Sequence, residues 1–247
     1  MAAPTSEPIH TTAATAIEAV FDSILADIVR GHYPAGARLP AERELARQLG
    51  ASRPTLREAL RRLGEWNLVE PRRGSGVVVR PMVEWSIEVL PAYLRWGRPG
   101  AGQPTIGRML VDLLALRRAL FVDIVRLVAA RLPPNTTGTA RHALDRAWAI
   151  RDQGASFQKE DFQVIRAVVE SAGLLPALWV LNRVSGVYLE VAQTLSTAFK
   201  PPPDYHEAHT KFLDALDRNN ADEACRLIGD YLERHDRGLV AALEAFA

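Results

Sequence analysis

The chain has 247 residues, more than one typical domain, and its 48% apolar and 24% charged residues exclude a disordered polypeptide and fit two globular domains. A formal net charge of +1 excludes any argument for nucleic-acid binding from overall charge, so the distribution of charge must carry it. Residues 15–80 hold eleven arginines against eight acids, a balance of +3, while the rest of the chain sums to −2.

Residues 1–14 are small, polar and proline-containing without periodicity, and are expected to be a disordered tail. They lack the basic start and apolar run of an export signal, and no stretch of about 18 uncharged apolar residues follows, so a cytoplasmic protein without membrane contact is expected. Ile17, Val20, Ile24 and Ile28 recur at helical spacing and predict a first helix ending near Gly31. After Tyr33-Pro34-Ala35-Gly36, residues 41–49 read as a short helix with Pro40 at its start and Gly50 at its end. Ser52 can cap a third helix whose first turn tolerates Pro54, with Leu56, Leu60 and Leu63 as its buried stripe. Two short helices across a tight glycine turn form a helix-turn-helix, whose second helix enters the major groove. Asn67–Glu70, the turn Arg72-Arg73-Gly74-Ser75-Gly76 and Val77-Val78-Val79 predict a β-hairpin wing.

From residue 81 to 104 the composition shifts to tryptophan, proline and glycine, which predicts a connection and closes the first domain near residue 80. Gly97, Gly100 and Gly102 follow no clear strand, so they read as linker and not as a phosphate loop. Helical periods then run over about 105–131, 139–153, 159–172, 174–199, 204–218 and 220–245. Six helical segments without alternating strands predict an antiparallel bundle over 105–247. The expected fold is therefore mainly α, a winged helix-turn-helix over 15–80 followed by an all-helical domain. The single cysteine, Cys225, excludes an internal disulfide and reads as a small helix residue.

Arg53, Arg57 and Arg61 share one face of the third helix while the leucines occupy another. Arg53 and Arg57, near the helix start, can reach base edges, where a guanidinium fork matches guanine O6 and N7. Arg61 and Arg62 are expected at phosphates or in solvent. Ser52 and Thr55 sit where hydroxyls at a helix N-terminus hold phosphate oxygens, or serve simply as cap and turn. Arg73 and Gly74 at the wing tip suit insertion into a narrow minor groove.

The run Leu39-Pro40-Ala41-Glu42-Arg43-Glu44-Leu45-Ala46, then Leu49-Gly50-Ala51-Ser52-Arg53-Pro54-Thr55-Leu56-Arg57-Glu58-Ala59-Leu60-Arg61-Arg62-Leu63, resembles the GntR family of bacterial transcription regulators, and Gly74–Val79 resembles its wing. The helical remainder resembles the FadR branch, with an FCD-type ligand domain. The resemblance implies major-groove or adjacent phosphate contacts for Arg43, Arg53 and Arg57, phosphate contacts for Ser52 and Thr55, and wing contacts for Arg73 and Gly74. Pro54 departs from the hydroxyl residue common in close relatives.

Many members of this branch hold a divalent metal through an aspartate, a histidine four residues on and two later histidines. The matching positions here are Asp161, Ile165, His209 and Tyr231. Ile165 has no lone pair and Tyr231 must ionise from a pKa near 10 before ligating well, so no tightly bound metal such as zinc, and no other cofactor, is expected. His206-Glu207-Ala208-His209 spaces its histidines one residue short of the metalloprotease motif. The site left by the missing ligands suits an organic acid or acyl compound, with Arg117, Asp161, His209 and Tyr231 as candidate effector contacts. Arg117 equally fits a partner-paired arginine, and His209 equally fits core packing.

The reading is a DNA-binding transcription regulator that binds a near-palindromic double-stranded operator as a homodimer and whose affinity is set by a small-molecule effector acting by population shift. Two alternatives are an effector-independent architectural DNA binder and an enzyme carrying a DNA-binding module. Against the second, no Ser/His/Asp or Cys/His constellation has motif support.

Overall fold

Helix α1 (Ala13–Val29) shows how the first unit of this computed structural model is assembled. Phe21, Ile24, Leu25 and Ile28 recur at three- and four-residue spacing and are all buried, and Gly31, at φ +82°, turns the chain away after the helix. The structure describes residues 13–100, 104–194 and 201–244; the expected tail, beyond its last two residues, lies outside them.

Helix α2 (Glu42–Gln48) buries Leu45 and Ala46. Gly50, at φ +61°, makes the turn into α3 (Arg53–Glu65), a left-handed conformation that costs glycine little. The Ser52 hydroxyl accepts from the Thr55 N–H at 3.2 Å and Pro54 lies in the first turn. Leu56, Ala59 and Leu63 are fully buried with Leu60 beside them, and this stripe packs α3 against α1.

Strands β1 (Val69–Arg72) and β2 (Gly76–Val79) pair antiparallel, Val69 opposite Val79 and Arg72 opposite Gly76. Gly74 and Gly76 both have φ near +75°, so the three-residue tip Arg73-Gly74-Ser75 closes with left-handed backbone, which glycine supplies without strain. The chain ahead of α2 flanks the hairpin: the Leu39 N–H donates to the Val77 carbonyl and the Val79 N–H to the Ala37 carbonyl, both at 2.9 Å. The wing is thereby tied to the start of the helix-turn-helix.

Residues 81–98 differ from an open connection. After two 3-10 turns at Met82–Glu84 and Ile87–Val89, α4 (Leu90–Trp96) buries Pro91, Ala92 and Tyr93 and packs on α1. The Trp85 indole N–H donates to the Arg80 carbonyl and the Ser86 N–H to the Trp66 carbonyl, each at 3.0 Å. The chain divides into two units between Arg98 and Pro99. A seven-residue helix is too short for hydrophobic period to reveal, so the tryptophans and prolines masked it.

The second unit is a bundle of α5 (Ile106–Ala129), α6 (Gly138–Ala149), α7 (Ala155–Ser171), α8 (Leu175–Thr194), α9 (Tyr205–Asp217) and α10 (Ala221–Glu244). Ala140, Ala143 and Ala147 form a buried small-residue edge on α6, which lets α7 approach closely. Val125, Val128, Val168, Phe212, Leu213 and Ile228 bring α5, α7, α9 and α10 into one core. The expected helices correspond one for one, and the end of the fourth, 195–199, lies outside the described residues. No helix of the described chain is long and apolar enough to cross a membrane.

Candidate nucleic-acid interface and effector site

Burying Leu56, Ala59, Leu60 and Leu63 turns the opposite face of α3 to water. Arg53 and Arg57 are exposed near its N-terminus, beside exposed Ser52 and half-buried Thr55, whose hydroxyls lie 2.8 Å apart. Arg43 on α2 is exposed, as are Arg73 and Gly74 at the wing tip.

The arginines of this face fall into two groups. Arg61 is held by Glu58 and Glu65 on its own helix. Arg62 pairs with Glu18 of α1 at 2.6 Å and its guanidinium lies 4.4 Å from the Phe21 ring centroid. Arg62 therefore fastens α3 to α1 through a cation–π contact and an ion pair, and its hydrogen bond to Glu18 holds that carboxyl below the usual carboxylate range. Arg47 is engaged by Glu44. Arg57 keeps one bond, from Nε to Glu42 at 2.8 Å. Arg61 and Arg62, read from sequence as facing phosphates or solvent, thus carry acidic partners of the protein's own.

In the helical unit Asp161 of α7 is enclosed by phenols. The Tyr205 hydroxyl donates to one carboxylate oxygen at 2.7 Å and the Tyr188 hydroxyl to the other at 3.2 Å, with Gln158 3.1 Å from Tyr188. Burial, reinforced by the Asp161 charge, pushes both phenols well above their ordinary pKa and keeps them neutral donors. His209 of α9 is buried, and its Nδ1 lies 2.8 Å from the Tyr205 carbonyl. A carbonyl only accepts, so Nδ1 carries the proton and the lone pair is left on Nε2. Burial lowers the His209 pKa, holding the ring neutral.

Tyr231 of α10 meets the His209 ring edge to face at 4.7 Å and stacks on His235 one turn later at 6.0 Å. Burial raises the Tyr231 phenol. Burial first, and the Arg117 charge second, bring His235 down to about 4. Arg117 of α5 is paired with Asp236 at 2.5 Å, and Arg118 meets the same carboxylate at 3.3 Å. Desolvation pushes the Asp236 carboxyl up, against the pull of the two arginines.

A cavity of about 370 Å³ is lined by Tyr231 and His235, by Pro202 and Leu239, and by the ion pair of Asp204 with Arg234 at 3.0 Å. Of the four residues expected at an effector, Tyr231 lines this cavity, His209 touches Tyr231, and Asp161 is linked to both through Tyr205. Arg117 is the partner-paired arginine that the sequence left as one of two readings. Sequence reasoning missed Tyr188, Tyr205 and His235. Helical spacing held the signal for two of them, since Tyr205 stands four residues before His209 and His235 four after Tyr231.

The arrangement does not fit the divalent metal of the family pattern. Ile165 is a buried core residue, both oxygens of Asp161 accept from phenols, and Tyr231 is held neutral. Among the described residues no group of three His, Cys, Asp or Glu side chains is placed to hold a metal ion. His206 pairs with Asp145 at 2.9 Å, apart from His209. Cys225 is buried on α10, and burial raises its thiol pKa.

Comparison with known proteins finds a family match in each of the two units. Residues 16–79 match the family described as "Bacterial regulatory proteins, gntR family", and residues 112–234 match the FCD domain. The chain is 31% identical over 231 residues to the HTH-type transcriptional regulator Mce2R of Mycobacterium tuberculosis, covering 92% of each. It is 27% identical over 171 residues to the fatty acid metabolism regulator protein of Pectobacterium carotovorum, covering 69% of this chain and 68% of the other. Among solved structures, Lar of Listeria monocytogenes aligns with a TM-score of 0.52 at 16% identity, covering 96% of this chain and 98% of that one, a likeness of fold. The chain belongs to the GntR family of bacterial regulatory proteins, with an FCD domain behind its winged helix-turn-helix.

Proposed function

We propose that this GntR-family regulator binds a near-palindromic operator as a homodimer and that a small organic acid or acyl compound in the helical unit sets its DNA affinity. One observation carries the DNA half: a single helix buries Leu56, Ala59, Leu60 and Leu63 and presents Arg53 and Arg57 at its exposed N-terminal end. Such a helix can lie in a major groove without disturbing the core that holds it. In this reading Arg53 and Arg57 read bases, Arg43, Ser52 and Thr55 fix the register on phosphates, and Arg73 and Gly74 reach the minor groove. The exposed Leu116, Leu120 and Leu127 of α5 support a second copy as partner, since apolar faces of this kind mark association surfaces.

The effector half rests on the cavity over Tyr231 and His235. Its lining combines neutral Tyr231 and His235 with Leu239 and the Arg234–Asp204 pair, so an apolar body suits the neutral side chains and an acidic head suits Arg234. The names of relatives such as the fatty acid metabolism regulators support an acyl ligand. We propose further that no metal takes part, because Ile165, neutral Tyr231 and the phenols on Asp161 fill the family's ligand positions. An effector changes DNA affinity only by its differential affinity for two conformations. The helical unit is read here as a sensor and not an enzyme, because among the described residues no nucleophile, base and orienter converge in the cavity.

Selection from a pool of random duplexes should enrich a symmetric motif, and Arg53→Ala should weaken binding to it by about 1–3 kcal/mol and relax one base position in each half-site. Failure of the wild type to enrich any motif would contradict the DNA reading. In thermal unfolding, carboxylates or acyl compounds should raise the melting temperature in a concentration-dependent way while zinc does not. A stabilisation by zinc alone would overturn the effector reading, and no response to any compound would favour the effector-independent binder.

The half-buried His235 also predicts a pH dependence. Its folded pKa of about 4 lies below that of an unfolded histidine, so the unfolded chain takes up the proton first as the pH falls. Stability present above about pH 6.5 is lost between pH 6.5 and 4, by roughly 3 kcal/mol. Urea denaturation of His235→Gln across that range should show a flatter profile than the wild type, and an unchanged slope would exclude a desolvated neutral histidine at this position.

A further inference from the structure

We infer that Glu42 is a specificity-determining positioning residue: it holds Arg57 by its Nε edge and leaves the terminal Nη fork free to read a base. The inference rests on the DNA-binding reading above and adds to it a residue that touches no base.

The geometry that carries it is a contrast among three arginines. Arg47 gives Nε and Nη2 together to Glu44, three residues earlier on the same helix, at 3.1 and 2.6 Å. Arg61 gives Nε and Nη2 to Glu58, and Nη1 to Glu65. In both, one carboxylate occupies the side edge of the guanidinium, which ties the arginine to its own helix surface. Arg57 is held differently. Its Nε alone donates to Glu42 at 2.8 Å, across the turn of the helix-turn-helix and fifteen residues away. The Nη1/Nη2 end, the fork that matches two acceptors on a guanine edge, is not used by this bond.

Stability does not account for the pair. Both side chains are substantially exposed, and ion pairs of that kind add little to folding. A carboxylate at a DNA-facing surface also repels phosphate, so Glu42 works against general affinity. Two consequences favour discrimination. First, a long arginine confined to one posture loses less rotamer freedom when it meets its base. Second, an arginine held by Nε is less able to swing to a phosphate, the contact every sequence offers. Glu42 is itself well anchored: it opens α2, where a negative charge suits the helix N-terminus, and Leu45 and Ala46 bury the same short helix.

The test uses the full-length protein and the duplex that the wild type enriches from a random pool. Glu42→Gln keeps the shape and removes the charge, and Arg57→Lys keeps the charge and removes the fork. Binding is read by fluorescence anisotropy against the enriched duplex, its single-base variants and a scrambled duplex. Glu42→Gln is expected to weaken binding to the enriched duplex about ten-fold, and to relax the same base position that Arg57→Lys relaxes. On the scrambled duplex its affinity is expected to be equal or higher, with a salt slope steeper by up to about 0.9 as the freed arginine takes a phosphate. Unaltered base preference in Glu42→Gln would overturn the inference, and so would uniformly tighter binding with the same preference, the mark of a merely repelling charge. Loss of preference at a position that Arg57→Lys leaves intact would overturn it as well. A wild type that enriches no motif would remove the DNA reading itself, and the inference with it.

Discussion

The burial of one edge of α3 against α1 is the contact from which the rest of the DNA-binding unit follows. Leu56, Ala59, Leu60 and Leu63 leave α3 one rotational setting about its axis, because turning it would expose leucines and bury arginines without partners. Arg62, clamped between Glu18 and the Phe21 ring, reinforces that setting from the flank. Phe21 is held in turn by the edge of Trp66 at 4.8 Å. The exposed face that carries Arg53 and Arg57 is thus a consequence of apolar packing, and no loop is needed to present it.

The acids around that face divide its arginines by task. Those whose guanidinium side edge is taken up by a carboxylate through two nitrogens, or that are laid over an aromatic ring, belong to the protein's own architecture; Arg43, Arg53 and Arg73 stand exposed, and Arg57 lies between the groups. This division explains how a chain with a net charge of only +1 can present a locally cationic surface. The useful charge is local, and the surplus is neutralised within the same helices. Exposed pairs of this type are weakened by salt, so the balance between internal pairing and DNA contact shifts with ionic strength.

Much of this was legible in the sequence, for physical reasons specific to each element. Helical spacing in α1, α3 and the bundle is set by burial, and burial requires leucine, isoleucine and valine at fixed intervals; Gly50, Gly74 and Gly76 mark turns whose positive φ other residues adopt only with strain. What stayed hidden depends on contacts distant in sequence. Helix α4 has too few residues to show a period, and its Tyr93 is read as core only once α1 is beside it. The pairing of Arg117 with Asp236 spans 119 residues, so no local pattern announces it. The phenols of Tyr188 and Tyr205 converge on Asp161 from two other helices, and their effect is to satisfy a carboxylate that a sequence comparison alone reads as a metal ligand.

In the proposed function, the N-terminal end of α3 and the wing tip together form the DNA surface. Hydrogen–deuterium exchange of the full-length protein, with and without an enriched duplex, tests it most directly. Exchange is expected to slow in the peptides covering residues 52–57 and 72–76, with little change in the cores of α6 and α9. Slowed exchange on the helices of the second unit, with none in α3 or the wing, would contradict it.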